Sequence, residues 1–153
     1  MPHGRVTPST RRRHRDQRGA AALEFALIVP ILVMVVFGIV DFGWAINRDT
    51  LVNNAAREGA REGSLDPDQA AIVAAVRNSL VSIEPVGQTP SKITVTVGCR
   101  RPDDSVCTNF ATDAVAGGTV IVTVALDHSW ITPVGSTFGD GVELTKTVEM
   151  RIE

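Results

Sequence analysis

Arg18-Gly19-Ala20-Ala21-Ala22-Leu23-Glu24-Phe25 places one carboxylate just inside an apolar run that continues to Val40. An ionisable side chain in hydrocarbon is costly, about 2.5–3.5 kcal/mol for Asp, Lys or Arg at a helix centre, and marks function by default. The run from Ala20 to Val40 has 21 residues. As a helix it is about 31 Å long at 1.5 Å per residue, enough to cross a bilayer. No small-x-small cleavage site follows it, so the pattern reads as a signal-anchor rather than a removable signal peptide.

Charge is distributed unevenly around this run. Residues 1–18 carry six arginines against Asp16, for +5, whereas the remainder sums to −7. A basic leader before a membrane span keeps its own side in the cytoplasm, so the acidic portion is expected on the extracytoplasmic side. Arg11-Arg12-Arg13 alone would suit a nucleic-acid patch, but the apolar run follows at once, and no nucleic-acid partner is expected.

The helical pattern outlasts the apolar run. Ile46, Leu51, Val52, Ala55, Ala56 and Ala60 continue at helical spacing, with Pro30 inside the span and Gly63 a natural C-cap. A helix from Ala20 to Glu62 is about 65 Å long, so its second half must project as a stalk or pack on a folded domain. Ala55, Gly59 and Gly63 recur every four residues, a spacing that lets another backbone approach closely. The partner is either the chain's own sheet or another helix of an assembly. Glu58 and Arg61 are spaced to pair on the flanking surface.

A second helix is expected from Asp66 as N-cap, with Pro67 in its first turn and an apolar stripe of Ile72, Val76, Leu80 and Ile83, ending before Pro85. The period then changes to two. Ile93, Val95 and Val97 alternate with threonines; Thr119–Leu126 is apolar on both faces; residues 142–152 alternate again, with Lys146 the one polar residue on the inner parity. Pro133, Gly135, Gly139 and Gly141 mark the loop before this last strand. The fold class is therefore α+β: a long N-terminal transmembrane helix running into an outer domain with a second helix and a small antiparallel sheet of about three strands. The division is a basic cytoplasmic leader (1–19), a transmembrane and stalk helix (20–63) and an extracytoplasmic α+β domain (64–153).

Chemistry-bearing patterns are sparse. Cys99 and Cys107 suit a local disulfide in an oxidising compartment, and no second Cys pair or nearby His completes a metal site. Asp103 and Asp104 read as solvated, and His128 beside Asp127 as structural. Without a Gly-x-Ser-x-Gly or a phosphate loop, neither an enzyme nor a cofactor is expected. Glu24 is different. Cleavage after Gly19 leaves Ala20 with a free ammonium and Glu24 as the fifth residue, one turn inward. Each charge is expensive alone in lipid and far less so beside the other, in its own or a neighbouring chain. The plainer alternative is a Glu that snorkels to the headgroups.

Arg18–Leu27, Pro30, Phe37-Gly38, Asp41-Phe42-Gly43 and Ala55-Ala56-Arg57-Glu58-Gly59-Ala60-Arg61 together resemble the TadE-like family, pseudopilins of tight-adherence (Flp-type) pilus systems. The resemblance covers residues 18–63, and the closing Val148–Glu153 is similar to the family's last strand. It implies cleavage between Gly19 and Ala20 by a membrane prepilin peptidase, with Glu24 and Phe25 as the Glu-aromatic pair of such pilins. It implies a single-pass membrane accessory to pilus assembly or secretion, whose partners are membrane lipid, the peptidase, other pilin-like subunits and the tight-adherence machinery. The outer domain is larger than the short tail of a major pilin, which argues against a bulk filament subunit. The alternative is a signal-anchored protein whose outer domain binds a ligand or envelope polymer.

Overall fold

A second helix and a three-stranded sheet form a two-layer unit with the far end of one very long helix. In the computed structural model the described residues are 11–85, 87 and 91–153, with side chains described from Gly19 onward except that of Phe138. The first ten residues of the expected leader lie outside them.

Helix α1 spans Arg11–Leu65, 55 residues, and passes through Pro30 without interruption. It starts nine residues earlier than expected: arginine is a good helix former, and extending an existing helix costs far less than nucleating one. It also ends later. Gly63 is not the cap but an interior residue, and Asp66 N–H donates to Glu62 O at 2.9 Å to close the last turn. The N-cap of α2 (Gln69–Ser79) is consequently Asp68 rather than Asp66. Its backbone is extended and its carboxylate accepts from Ala70 N–H at 2.9 Å.

The sheet contains β1 (Ile93–Arg100), β2 (Thr119–His128) and β3 (Val142–Arg151), ordered β1-β2-β3 and antiparallel throughout. Register puts Val122 of the central strand between Val97 and Val148. The alternate residues Val120, Val122, Val124 and Leu126 are buried against α1 and α2. They meet Val52, Ala55, Ala56 and Ala60 of α1 and Ile72, Val76 and Leu80 of α2, so both helices cover one face of the sheet. The opposite face is polar, with Thr123 and Thr147 hydroxyls 2.9 Å apart and Arg100 paired to Glu149 at 3.2 Å. Lys146, the polar residue on the inner parity of β3, is explained by α1: its Nζ lies 3.0 Å from the Asp49 carboxylate.

The direction of β2 fixes the layout. Near its start Val120 packs at Gly63; further on Val122 packs at Gly59; past its end Thr132 meets Asp41. The strand therefore descends alongside α1, and the segment after it returns to the end of the apolar run. At the opposite end Cys99 and Cys107 are joined by a disulfide, closing a loop off β1. Just after that loop comes a four-residue helix α3 (Phe110–Asp113), capped by Asn109.

Candidate functional site

Among the described residues, the most apolar stretch of α1 has no residue buried by the rest of the molecule. Its best span window has a mean hydropathy of 2.8 and is wholly uncovered. Leu23, Phe25, Leu27, Ile28 and Ile31 are each more than 60% exposed, against complete burial for Val52 on the same helix. Burying apolar surface is worth about 25 cal/mol per Å², so a continuous bare stripe of this size requires lipid or a partner helix. Gly19 stands in open space and Glu24 and Phe25 are exposed one and a half turns on. The three sit in one continuous helical segment, with Glu24 about 7.5 Å along the axis from Gly19.

The apolar run ends at a carboxylate that sequence inspection treats only as a boundary. Asp41 is 4% exposed. Its Oδ1 accepts Ile131 N–H at 3.0 Å and Thr132 N–H at 3.1 Å, and its Oδ2 accepts the Thr132 hydroxyl. Gly135 is required beside it, because a Cβ there would collide with Asp41 Oδ2. A buried carboxylate without a cation is tolerable when several donors converge on it, and these three donors do so. Asp41 thereby fastens the loop before β3 to the end of the span. No local pattern connects positions so far apart; the one available signal is that the loop itself contains no charge.

The small residues of α1 are occupied by the chain itself. A Cβ on Gly59 would collide with Val76 of α2, and one on Gly63 would lie 2.7 Å from Ile72 Cδ1 and 3.0 Å from Val120 Cγ2. Ala55 is fully buried in the same core. The flanking Glu58 and Arg61 pair at 2.8 Å on the outer surface.

Titratable groups in the folded unit are structural in their geometry. His128 is buried at the end of β2, edge-on to Trp130 with ring centroids 5.7 Å apart. Burial and the Arg48 guanidinium hold its pKa below the usual value against the pull of Asp41, with Lys92 adding to the lowering. Among the described residues, His128 Nε2 and Trp130 Nε1 find no hydrogen-bond partner. Arg48 itself lies over the Trp44 ring, 4.6 Å from its centroid. His128 and Asp127 line a cleft of about 320 Å³ with Asp140 and Glu143. Asp103 belongs to the disulfide loop at the other end of β2, about 30 Å away at strand rise, and accepts from Ser105. These groups do not converge. Among the described residues, no group of three or more His, Cys, Asp or Glu is placed to hold a metal ion.

Two acids hold loops in place. Burial raises the Glu84 carboxyl's pKa, but the Ser91 hydroxyl, Lys92 N–H and Arg77 outweigh this and leave it lowered. Asp113 is held far below the usual carboxylate range by Asn109 N–H at 3.0 Å, Arg101 at 2.6 Å and Thr108 N–H at 2.9 Å.

Uncovered apolar helix, exposed Glu24 and Asp41 boundary all fall within one stretch of sequence. Residues 19–61 match the family of TadE-like proteins. Over these residues the N-terminal helix is similar to TadE-like proteins. The match begins at Gly19, takes in the whole bare segment, and ends among the small residues that pack on the folded unit. It leaves α2 and the sheet outside the TadE-like part. No curated protein and no solved structure matches the chain.

Proposed function

We propose that the chain is a single-pass, pilin-like accessory protein of a tight-adherence pilus or secretion system. The carrying observation is that the TadE-like match lies on a helix whose apolar length has no cover from the rest of the molecule. A helix of this kind is built to sit in lipid and to pack beside others like it. Glu24, the one acid in the first part of the apolar run, then supplies axial register by pairing with an α-ammonium at Ala20. The +5 leader stays on the cytoplasmic side and the α+β unit lies outside the membrane on the other. In this reading Gly19 and Ala20 flank the bond that a prepilin peptidase cuts. The role is that of a minor pseudopilin rather than a catalyst.

Mass spectrometry of the N-terminus, on protein taken from a piliated host, tests the reading. A mature chain starting at Ala20 is expected. An intact leader in cells with normal pili rules out processing and leaves a signal-anchored protein whose outer domain binds a ligand or envelope polymer.

A further inference from the structure

We propose that the loop from Ser129 to Gly139 is a membrane-contact element, with Trp130, Ile131 and Val134 seated at the headgroup–acyl boundary beside α1. The inference rests on α1 being a membrane span, and it concerns a segment outside the TadE-like match.

Four observations converge on it. The first is composition. Between His128 and Asp140 lie eleven residues with no ionisable side chain, in a chain that is 21% charged and would ordinarily place two there. The second is position. Asp41 follows directly on Val40, the last residue of the apolar run, and it holds Ile131 N–H at 3.0 Å and Thr132 N–H at 3.1 Å. The loop is thus pinned at the level where the span leaves the hydrocarbon. The third is depth. Trp130 and Val134 line an almost wholly apolar recess of about 210 Å³ with Phe42 and Gly38. Gly38 is three residues inside the apolar run, about 4.5 Å below Asp41 along the helix. The loop therefore reaches past the end of the span rather than standing above it.

The fourth is how the loop treats its own polar groups, the unpartnered Trp130 ring N–H excepted. Irregular backbone at membrane depth is tolerated only when its donors and acceptors are satisfied internally. The Thr132 hydroxyl turns to Asp41, the Ser136 hydroxyl to Pro133 O at 2.9 Å and the Thr137 hydroxyl to Val134 O at 2.6 Å. Ser136 and Thr137 N–H groups close on Thr132 O and Val134 O. Outward the loop presents Ile131, 57% exposed, together with Ser129, Pro133 and the internally bonded Ser136 and Thr137, and Phe42 on α1 is 67% exposed. Aromatic side chains at the level where a span meets water are a recurrent membrane anchor, and Phe42, Trp44 and Trp130 lie at or just above that level. Continuity with the bare span identifies lipid as the occupant.

The test uses the full chain in lipid nanodiscs with one tryptophan at a time. A variant with Trp44→Phe, Trp130→Phe and Ile131→Trp reports on the loop, and one with Trp44→Phe, Trp130→Phe and Ile31→Trp reports on the span. The loop reporter is expected to be quenched about two-fold more by lipid brominated near the headgroup than by lipid brominated at the chain end, and to resist aqueous iodide. The span reporter should show the reverse depth preference. A loop reporter indifferent to bromine but quenched by iodide, with the span reporter still quenched from the chain end, overturns the loop proposal and leaves the span intact. If neither reporter responds to bromine, the span reading fails and takes the loop with it. A loop reporter shielded from both quenchers means that protein, a second copy or another subunit, covers it, and this too overturns lipid contact. Should the triple variants fold poorly, Trp44→Phe alone gives the same readout from native Trp130.

Discussion

Asp41 and Thr132 are 91 residues apart in sequence and doubly bonded in the fold, one carboxylate taking both the N–H and the hydroxyl of the threonine. The pair joins the end of the TadE-like apolar run to the loop that precedes the last strand. Beside it, Trp130 and Val134 of the loop meet Gly38 and Phe42 of α1 around one apolar recess.

Replacing Asp41 with alanine leaves the Ile131 and Thr132 N–H groups without their acceptor. Amide exchange at these two positions should quicken, and the loop should become accessible to protease. Amides of β2 should keep their protection, because the core around Val122 and Val76 does not involve Asp41. Equal loss of protection in β2 would show that the clasp holds the whole unit rather than one loop.

Gly59 is tested by adding a single methyl. Alanine in place of an interior helical glycine gains up to about 1 kcal/mol in helix propensity. Here its Cβ would meet Val76, a stiff branched side chain fixed by the core, and overpacking of that kind costs about 1–3 kcal/mol. Gly59→Ala should therefore lower stability by about 1 kcal/mol net, and Gly59→Leu by more. Denaturant titration in detergent reads the difference; a stabilised Gly59→Ala would mean that α2 can move aside.

Removing the disulfide with Cys99→Ser and Cys107→Ser should cost about 2.5 kcal/mol, from the entropy of a loop with a sequence separation of 8. The loss should be visible in the same titration and in the wild-type chain under reduction.

Acid should weaken the folded unit in two stages. His128 is held neutral by burial and Arg48, so its folded pKa lies below its unfolded one. The stability it contributes is complete above about pH 6.5 and declines as pH falls from there toward the folded pKa. His128→Gln should flatten the dependence of melting temperature on pH below about pH 6.5. Glu84 and Asp113 have lowered pKa values, so their contribution is present above about pH 4 and disappears as pH falls through the folded values. Asp113→Asn should blunt that second stage.

Glu24→Ala should insert as well as the parent chain but fail to support assembly. Complementation of a deletion strain, scored by pilus counts together with membrane fractionation, separates the two. Normal pili from this variant would reduce Glu24 to a headgroup contact.

Helices and strands were legible because their periods are strong. Ile72, Val76 and Leu80 repeat at helical spacing and are buried, and the period-two residues of β2 and β3 face the helices as their parity requires. Boundaries were less legible, since they depend on competition between neighbours. Asp66 and Asp68 are equally good caps locally, and α1, by running on to Leu65, takes the first of them. Gly63 resembles a helix terminator until Ile72 and Val120 are seen against it. In the candidate site, Gly19 and Glu24 stand out by chemistry alone, whereas Asp41 looks like the polar residue expected wherever a span ends. Its role depends on Thr132 and Gly135, and nothing local in the chain announces a contact that only the descent of β2 brings about.

That descent also sets how far the folded unit reaches beyond Asp41. From Asp41 to Leu65 the helix climbs about 36 Å, and β2 spends its length coming back down instead of adding height. The folded part lies alongside its own stem rather than beyond its tip. Beyond that climb stand the disulfide loop and α3, at the end of the unit farthest from Asp41.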